Sequence, residues 1–235
     1  MAKDFSLYQK VLREISEYTQ EDFSIIEDKY RRLGEETSGK DFDTLGEEQL
    51  KQIYINDEHS LYYLPFWNAK CGRNYYLSWL VVPYLKKNGY KDILDFGAGT
   101  GDFCIILAEE GFNTYYTDIS TRLIDFSRWR FQKRGLSIKI IEEGKLGKLQ
   151  FDCVLSFDVF EHLKNLPQKL KDLSSLIRNN GSLIFNIELS GDGLHLQENK
   201  AYSNENVLDK ALRQAGFTFD WRFKKFMFYR RKACS

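Results

Sequence analysis

The chain has 235 residues, 43% of them hydrophobic, 29% charged and 15% aromatic, enough apolar material for a full core and too much for a disordered segment. Lysine plus arginine and aspartate plus glutamate each number 34, so no overall basic field exists to hold a nucleic acid backbone, and no apolar run approaches the roughly 20 residues that span a bilayer. The opening Met1-Ala2-Lys3-Asp4-Phe5 lacks the apolar centre of a signal peptide. Cys71, Cys104, Cys153 and Cys234 form no C-x-x-C pair, which argues against a zinc site or a disulfide framework and for a reducing, cytoplasmic setting.

In chain order, the first 88 residues read as a helical extension and residues 89–235 as a separate α/β domain. Phe5, Tyr8, Leu12, Ile15 and Tyr18 recur at spacings of three and four, one apolar helix face within Lys3 to Leu33. Gly34 and the stretch from Glu35 to Asp43 break it. A second helix is expected over Leu45 to Ile55. An aromatic cluster from Tyr62 to Trp79 follows, partly within a helix from about Arg73 to Lys87 that stops at Gly89 and carries Pro83. Beyond residue 90, short apolar runs alternate with amphipathic helices. Strands are expected at Asp92–Phe96, Asn113–Thr117, Ser137–Ile141, Phe151–Phe157 and Ser182–Ile187. Helices are expected at Asp102–Glu110, from the Ser120 cap to Lys133, at Val159–Asn179 with a break near Pro167, and at Asn206–Gln214. Phe217–Arg222 and Phe226–Arg231 close the chain as a pair of strands. This alternation argues for a mainly parallel sheet with helices on both faces, whose ligands sit at the carboxyl ends of the strands near the switch in strand order.

At that edge stands Ile93-Leu94-Asp95-Phe96-Gly97-Ala98-Gly99-Thr100-Gly101-Asp102, between the first strand and the first helix of the α/β part. Glycines there permit positive φ and close approach of a ligand to the backbone. The spacing is not the G-x-G-x-x-G of a dinucleotide fold, because Asp102 stands where the third glycine belongs. No Gly-Lys-Ser/Thr follows, which removes the P-loop. The Asp95 carboxylate repels a pyrophosphate and suits a ligand with a cationic ammonium; S-adenosylmethionine carries one and no phosphate. Asp118, 23 residues beyond Asp95 at the end of the second strand, is placed to accept both hydroxyl protons of a ribose, with Ile119 beside it. A third segment, Phe151-Asp152-Cys153-Val154-Leu155-Ser156-Phe157-Asp158-Val159-Phe160-Glu161-His162-Leu163, fills the fourth strand and delivers Asp158, Glu161 and His162 to its carboxyl end. Asp158 there favours a sulfonium or orients an acceptor amine or hydroxyl, and Phe157 or Phe160 is placed to contact adenine or the sulfonium.

On these three segments, the chain from about Lys91 onward resembles a class I S-adenosylmethionine-dependent methyltransferase. The resemblance implies a Rossmann-like, mainly parallel seven-stranded sheet whose last strand is antiparallel. It implies contacts from Gly97, Ala98, Gly99, Thr100 and Gly101 to the methionine part, Asp118 on the ribose, and the Phe157-Asp158 region lining the methyl-transfer site. The acidic-small pair that often touches adenine in the family falls at Ile141-Glu142-Glu143-Gly144, which names Glu142 or Glu143 without preference. No Asn-Pro-Pro-Tyr-type element follows the fourth strand, unlike base-amino methylating relatives.

Methyl transfer from a sulfonium expels a neutral thioether, so the reaction needs no metal and rests on alignment; no metal ligand set is expected. His162 is a candidate proton acceptor. His195, after the fifth strand in a polar glycine-rich loop, is a candidate substrate-facing group, and Asn186 and Glu188 share that placement. His59 has no independent case. Tyr62, Tyr63 and Trp67 are candidates to close an acceptor pocket, and Arg73 to pair with a carboxylate. The basic residues Lys224, Lys225, Arg230, Arg231 and Lys232 read as a solvated strand edge. The expected function is methyl transfer to a small-molecule acceptor, without a nucleic acid or membrane partner. The alternatives are transfer or cyclisation of the aminobutyrate group with release of methylthioadenosine, and a non-catalytic cofactor-binding subunit.

Overall fold

Short runs of buried apolar residues set the centre of the molecule. In a computed structural model of the chain, which describes residues 5–36, 42–188 and 195–233, they form the strands Asp92–Phe96 (β1), Asn113–Thr117 (β2), Lys139–Ile140 (β3), Phe151–Phe157 (β4), Ile177–Asn186 (β5), Phe217–Phe223 (β6) and Phe226–Arg231 (β7). One seven-stranded sheet results, in the order β3-β2-β1-β4-β5-β7-β6. β7 is inserted antiparallel to both its neighbours, while the pairs from β3 to β5 are parallel. β1 and β4 are buried on both faces, as interior parallel strands must be.

Alternate side chains serve two cores. Leu94, Val154, Leu183 and Phe185 meet Leu170, Leu173 and Leu212, from the helices Leu166–Leu176 (α8) and Glu205–Gln214 (α9), numbered after those that follow. Ile93, Leu155 and Ile184 meet Leu77, Leu85, Phe103 and Leu107 on the other face, from Arg73–Lys87 (α5) and Asp102–Glu109 (α6). The remaining helix of the α/β part is Thr121–Lys133 (α7), capped by Ser120, whose Oγ accepts the Leu123 N–H.

Four helices precede α5: Phe5–Thr19 (α1), Phe23–Glu36 (α2), Glu47–Ile55 (α3) and Ser60–Cys71 (α4). The expected apolar face of α1 packs Leu12 and Ile15 with Leu61 and Phe66 of α4 and with Leu123 and Phe126 of α7. These helices therefore share a core with a helix of the sheet layer.

The structure differs from the sequence expectation in four places. The first helical stretch breaks at Gln20, whose φ is +59°, and α2 then runs through Gly34 to Glu36 rather than stopping at the glycine. The strand expected over Ser137–Ile141 shrinks to two residues at the sheet edge. β5 starts at Ile177, with Gly181 inside it; a Cβ on Gly181 would lie 2.5 Å from the Asp152 carbonyl oxygen of β4, so only glycine lets the strands approach this closely. The helix expected from Val159 divides into a 3₁₀ turn, Phe160–His162, and α8 with Pro167 in its first turn.

Candidate active site

The switch in strand order falls between β1 and β4, and a cavity of about 940 Å³ opens beyond their carboxyl ends. Its floor is the turn from β1 to α6. Gly97 and Gly101 both have φ of +70°. A Cβ on Gly97 would lie 2.5 Å from Val159 Cγ2, and one on Gly101 would lie 2.6 Å from Phe131 Cζ. Conformation and space both require glycine at these two positions. Gly97, Ala98, Gly99 and Thr100 line the cavity, as do Asp95, Asp118, Ile119, Phe157 and Asp158. Gly101 turns away from it, beginning α6 against Phe131.

Asp118 is fixed by the backbone. Its Oδ2 accepts the Gly99 N–H at 2.7 Å and its Oδ1 accepts the Ser120 N–H at 2.9 Å. Burial pushes its carboxyl above the usual range, the backbone donors oppose that, and the charge of Asp57 adds to it. Asp95 is buried beneath the turn with the Cys104 thiol 3.5 Å from its Oδ2. Asp102 also lines the cavity, but its carboxylate is already engaged: it accepts from Arg130 at 2.8 Å, Thr100 Oγ1 at 2.5 Å and Asn68 at 3.0 Å.

Across the cavity, Asp158 has φ of +54°, a left-handed conformation unusual for a residue with a Cβ. Asn186 holds it there. The Asp158 N–H donates to Asn186 Oδ1 at 3.1 Å, and Asn186 Nδ2 donates back to Asp158 Oδ1. Asn186, expected as a substrate contact, is buried and is not among the residues that line the cavity; its observed contacts brace Asp158. Lys225, expected on a solvated edge, lines the cavity with its Nζ 3.7 Å from Asp158.

The opposite end of the cavity is formed by Leu50 and Tyr54 of α3, Tyr63, Leu64 and Trp67 of α4, and the polar group Glu161, His162, Glu188 and His195. Tyr63 and Trp67 stack at 5.7 Å. Tyr62, their expected companion, points the other way: its hydroxyl donates to Glu21 at 3.0 Å and accepts from Lys29 and Arg122, each at 3.0 Å, joining α2, α4 and α7. The helical period that puts Tyr63 on the cavity puts Tyr62 in the core. The side chains of Arg73 and Glu143 and the segment 189–194 lie outside the described residues. Glu142 is exposed, pairs with Lys145 at 2.9 Å and does not reach the cavity.

The turn that carries Glu161 and His162 is clamped by buried Asn199, whose amide donates to the carbonyls of Phe160 at 3.0 Å and Leu163 at 2.9 Å. The Leu196 N–H donates to the Glu161 carbonyl at 3.0 Å, which sets His195 beside His162. Their ring centroids are 5.2 Å apart, and Tyr54 meets the His162 ring edge-on at 5.9 Å. Burial draws the His195 imidazole below its usual range, with Glu188 and Asp158 opposing. Sequence reasoning missed Tyr54, Asn199 and Lys225, which enter through tertiary packing alone.

The glycine backbone, the anchored Asp118 and the acidic floor at Asp95 fit a ribose and a cationic amino acid, and leave no cradle for a pyrophosphate. The sheet order and this site define a nucleoside-binding methyltransferase architecture. A profile described as a methyltransferase domain matches residues 72–220. The chain is 35% identical over 107 residues to a ubiquinone biosynthesis O-methyltransferase of Rickettsia prowazekii, covering 42% of each chain. It is 28% identical over 155 residues to a glycine N-methyltransferase of Oryctolagus cuniculus, covering 57% of this chain and 48% of that protein. The chain thus spans about half the length of the curated relatives it matches. Its fold is similar to that of a magnesium protoporphyrin IX methyltransferase of Synechocystis PCC 6803 with bound S-adenosylmethionine, with a TM-score of 0.54, 20% identity, and coverage of 81% of this chain and 93% of that one. The chain belongs to the class I S-adenosylmethionine-dependent methyltransferase family, and S-adenosylmethionine is its cofactor.

Proposed function

We propose that the protein transfers a methyl group in line from S-adenosylmethionine to a small-molecule acceptor held under α3 and α4. The observation that carries this reading is the continuity of the cavity. One space runs from the glycine turn and Asp118, past Phe157 and Asp158, to Tyr54, Tyr63, Trp67, His162 and His195. A volume of about 940 Å³ is of the size that takes a cofactor and a modest second ligand. The helical extension of residues 1–88 acts as the cap that supplies acceptor specificity.

When bound, S-adenosylmethionine supplies an electrophilic methyl on a cationic sulfur. The chain's part is placement. Asp118 holds the ribose, the Gly97–Gly99 backbone holds the methionine part with Asp95 favouring its ammonium, and Asp158, locked by Asn186, fixes the edge where the two ligands meet. Phe157, Leu50, Leu64 and Trp67 exclude water around that edge. Glu161, His162 and His195 are the polar groups that engage the acceptor's reacting atom. The zero net charge and the capped cavity favour a small acceptor over a nucleic acid.

The test is product analysis by mass spectrometry with S-adenosylmethionine and a library of small oxygen, nitrogen and sulfur nucleophiles. S-adenosylhomocysteine formed only when a small acceptor is present is expected. Methylthioadenosine would replace the reading with aminobutyrate chemistry. Cofactor binding without turnover of any small acceptor would overturn it.

A further inference from the structure

The sequence reading expected no metal, yet the acceptor end of the cavity gathers a donor set suited to one. We propose that Glu161, His162 and His195 bind a divalent first-row transition ion. One carboxylate oxygen of Glu161 and one imidazole nitrogen from each histidine all lie within 4.8 Å of one another. A tetrahedral or facial octahedral ion at about 2.1 Å from its ligands holds them about 3 Å apart, so the set closes on an ion with side-chain movements of about an ångström. Two nitrogens and one oxygen select the zinc, cobalt, iron and manganese range over magnesium or calcium, and leave further positions open.

Independent observations point to the same corner. Glu161 is only 1% exposed, a costly place for a carboxylate. Nδ1 of His195 and the hydroxyl of Tyr54 are buried without a hydrogen-bond partner among the described residues, and both residues line the cavity here. Glu188 and Asp158 add negative charge near His195, and Lys225 Nζ lies 3.7 Å from Asp158 Oδ1. The clamp of Asn199 and the Leu196 N–H fix the backbone of the Glu161–His162 turn, as a preformed ligand set requires.

The site stands without regard to which acceptor the cavity takes. Its role in the reaction rests on the methyl-transfer reading: an ion with open positions holds an oxygen of the acceptor and eases loss of its proton.

The experiment uses the full chain, stripped with a chelator and titrated with Co²⁺, followed by visible absorption and by calorimetric competition with Zn²⁺, without any acceptor. One ion per chain is expected, with the d–d bands of a low-symmetry site. His162→Ala and His195→Ala are each expected to weaken binding at least tenfold while keeping cofactor affinity, and His59→Ala, at the chain's third and exposed histidine, to leave it unchanged. Should the variants fail to fold, Mn²⁺ added to the wild-type protein is expected to broaden two of the three imidazole resonances in NMR spectra and spare the third. Absence of stoichiometric binding, affinity undiminished in both variants, or equal broadening of all three resonances would each overturn the proposal. Ion binding with no methylation of any small molecule would remove the functional reading and leave the site.

Discussion

At Asp118, burial and function pull in opposite directions. The carboxyl is pushed above its ordinary range by burial and by Asp57, against the backbone donors of Ser120, Gly99 and Ile119. The ionised form is therefore strained in the folded protein, and the strain relaxes as pH falls through the raised value, so this group adds nothing to stability at neutral pH. On the proposed reading its use is binding, since only the carboxylate accepts both protons of a diol. Asp118→Asn is expected to leave the melting temperature unchanged or higher and to weaken S-adenosylmethionine binding by about 1.5–3 kcal/mol, the range of a hydrogen bond to a charged group; calorimetry reads both. Cofactor affinity of the wild-type protein is expected to decline with acid starting above the pH at which a free aspartate titrates. Asn186 acts differently, because it holds Asp158 in a left-handed conformation that costs of the order of 1–3 kcal/mol. Asn186→Ala is expected to lower turnover with little change in cofactor affinity, measured as kcat against the dissociation constant. The placement of Asp118 on the cavity was legible in the sequence because it follows from its position after a strand. Asn186 was legible only as a polar residue at the right edge, since bracing depends on the φ of a residue 28 positions away.

The same difference between local and distant causes runs through the elements. β1, β2, β4, α7 and α9 follow from contiguous apolar runs, caps and stops, which neighbouring residues decide. The early start of β5 at Ile177 and the two-residue β3 depend on what each strand finds beside it in the sheet, and no local pattern encodes that. The position of Lys225 in the cavity has the same origin: the β6–β7 turn reaches the site because β7 inserts beside β5. The glycine turn is the element in which local pattern and packing agree, and a comparison of Gly101 with Gly111, which follows the end of α6, separates their contributions. Gly111→Ala places a Cβ in open space at φ of +86°, so it meets backbone strain alone; Gly101→Ala adds a contact of 2.6 Å with the Phe131 ring at φ of +70°. Gly111→Ala is expected to lower stability by about 1 kcal/mol. Gly101→Ala is expected to lose more by a further 1–3 kcal/mol, roughly the scale of overpacking, and to weaken cofactor binding, as read by thermal unfolding with and without S-adenosylmethionine.

Across the whole molecule, one buried cation joins the N-terminal helices to the cofactor turn. Arg130 of α7 lies between Glu14 of α1 at 3.0 Å and Asp102 of α6 at 2.8 Å, and it also donates to the Thr100 carbonyl of the glycine turn. Burial alone would raise the Asp102 carboxyl, but Arg130, Thr100 and Asn68 outweigh it and hold the group below its ordinary value. A carboxyl depressed on folding contributes stability in full above its unfolded value, and that contribution is lost as pH falls through the lower, folded value. The protein is therefore expected to lose stability below about pH 4, near the ordinary aspartate value. Removing the cation leaves Asp102 buried and uncompensated, which costs about 3–5 kcal/mol for a pair of this kind. Arg130→Met is expected to lose that much. The double variant Arg130→Met with Asp102→Asn is expected to recover a large part of it, because Glu14 keeps its pair with Arg134 and no orphaned charge remains. Since the same guanidinium holds the Thr100 carbonyl, Arg130→Met is also expected to weaken S-adenosylmethionine binding although it touches no ligand, and the double variant, which restores charge balance but not that hydrogen bond, is expected to regain stability without regaining affinity. Parallel recovery of both quantities would show that α1 and the glycine turn are coupled only through overall stability, and not through Arg130.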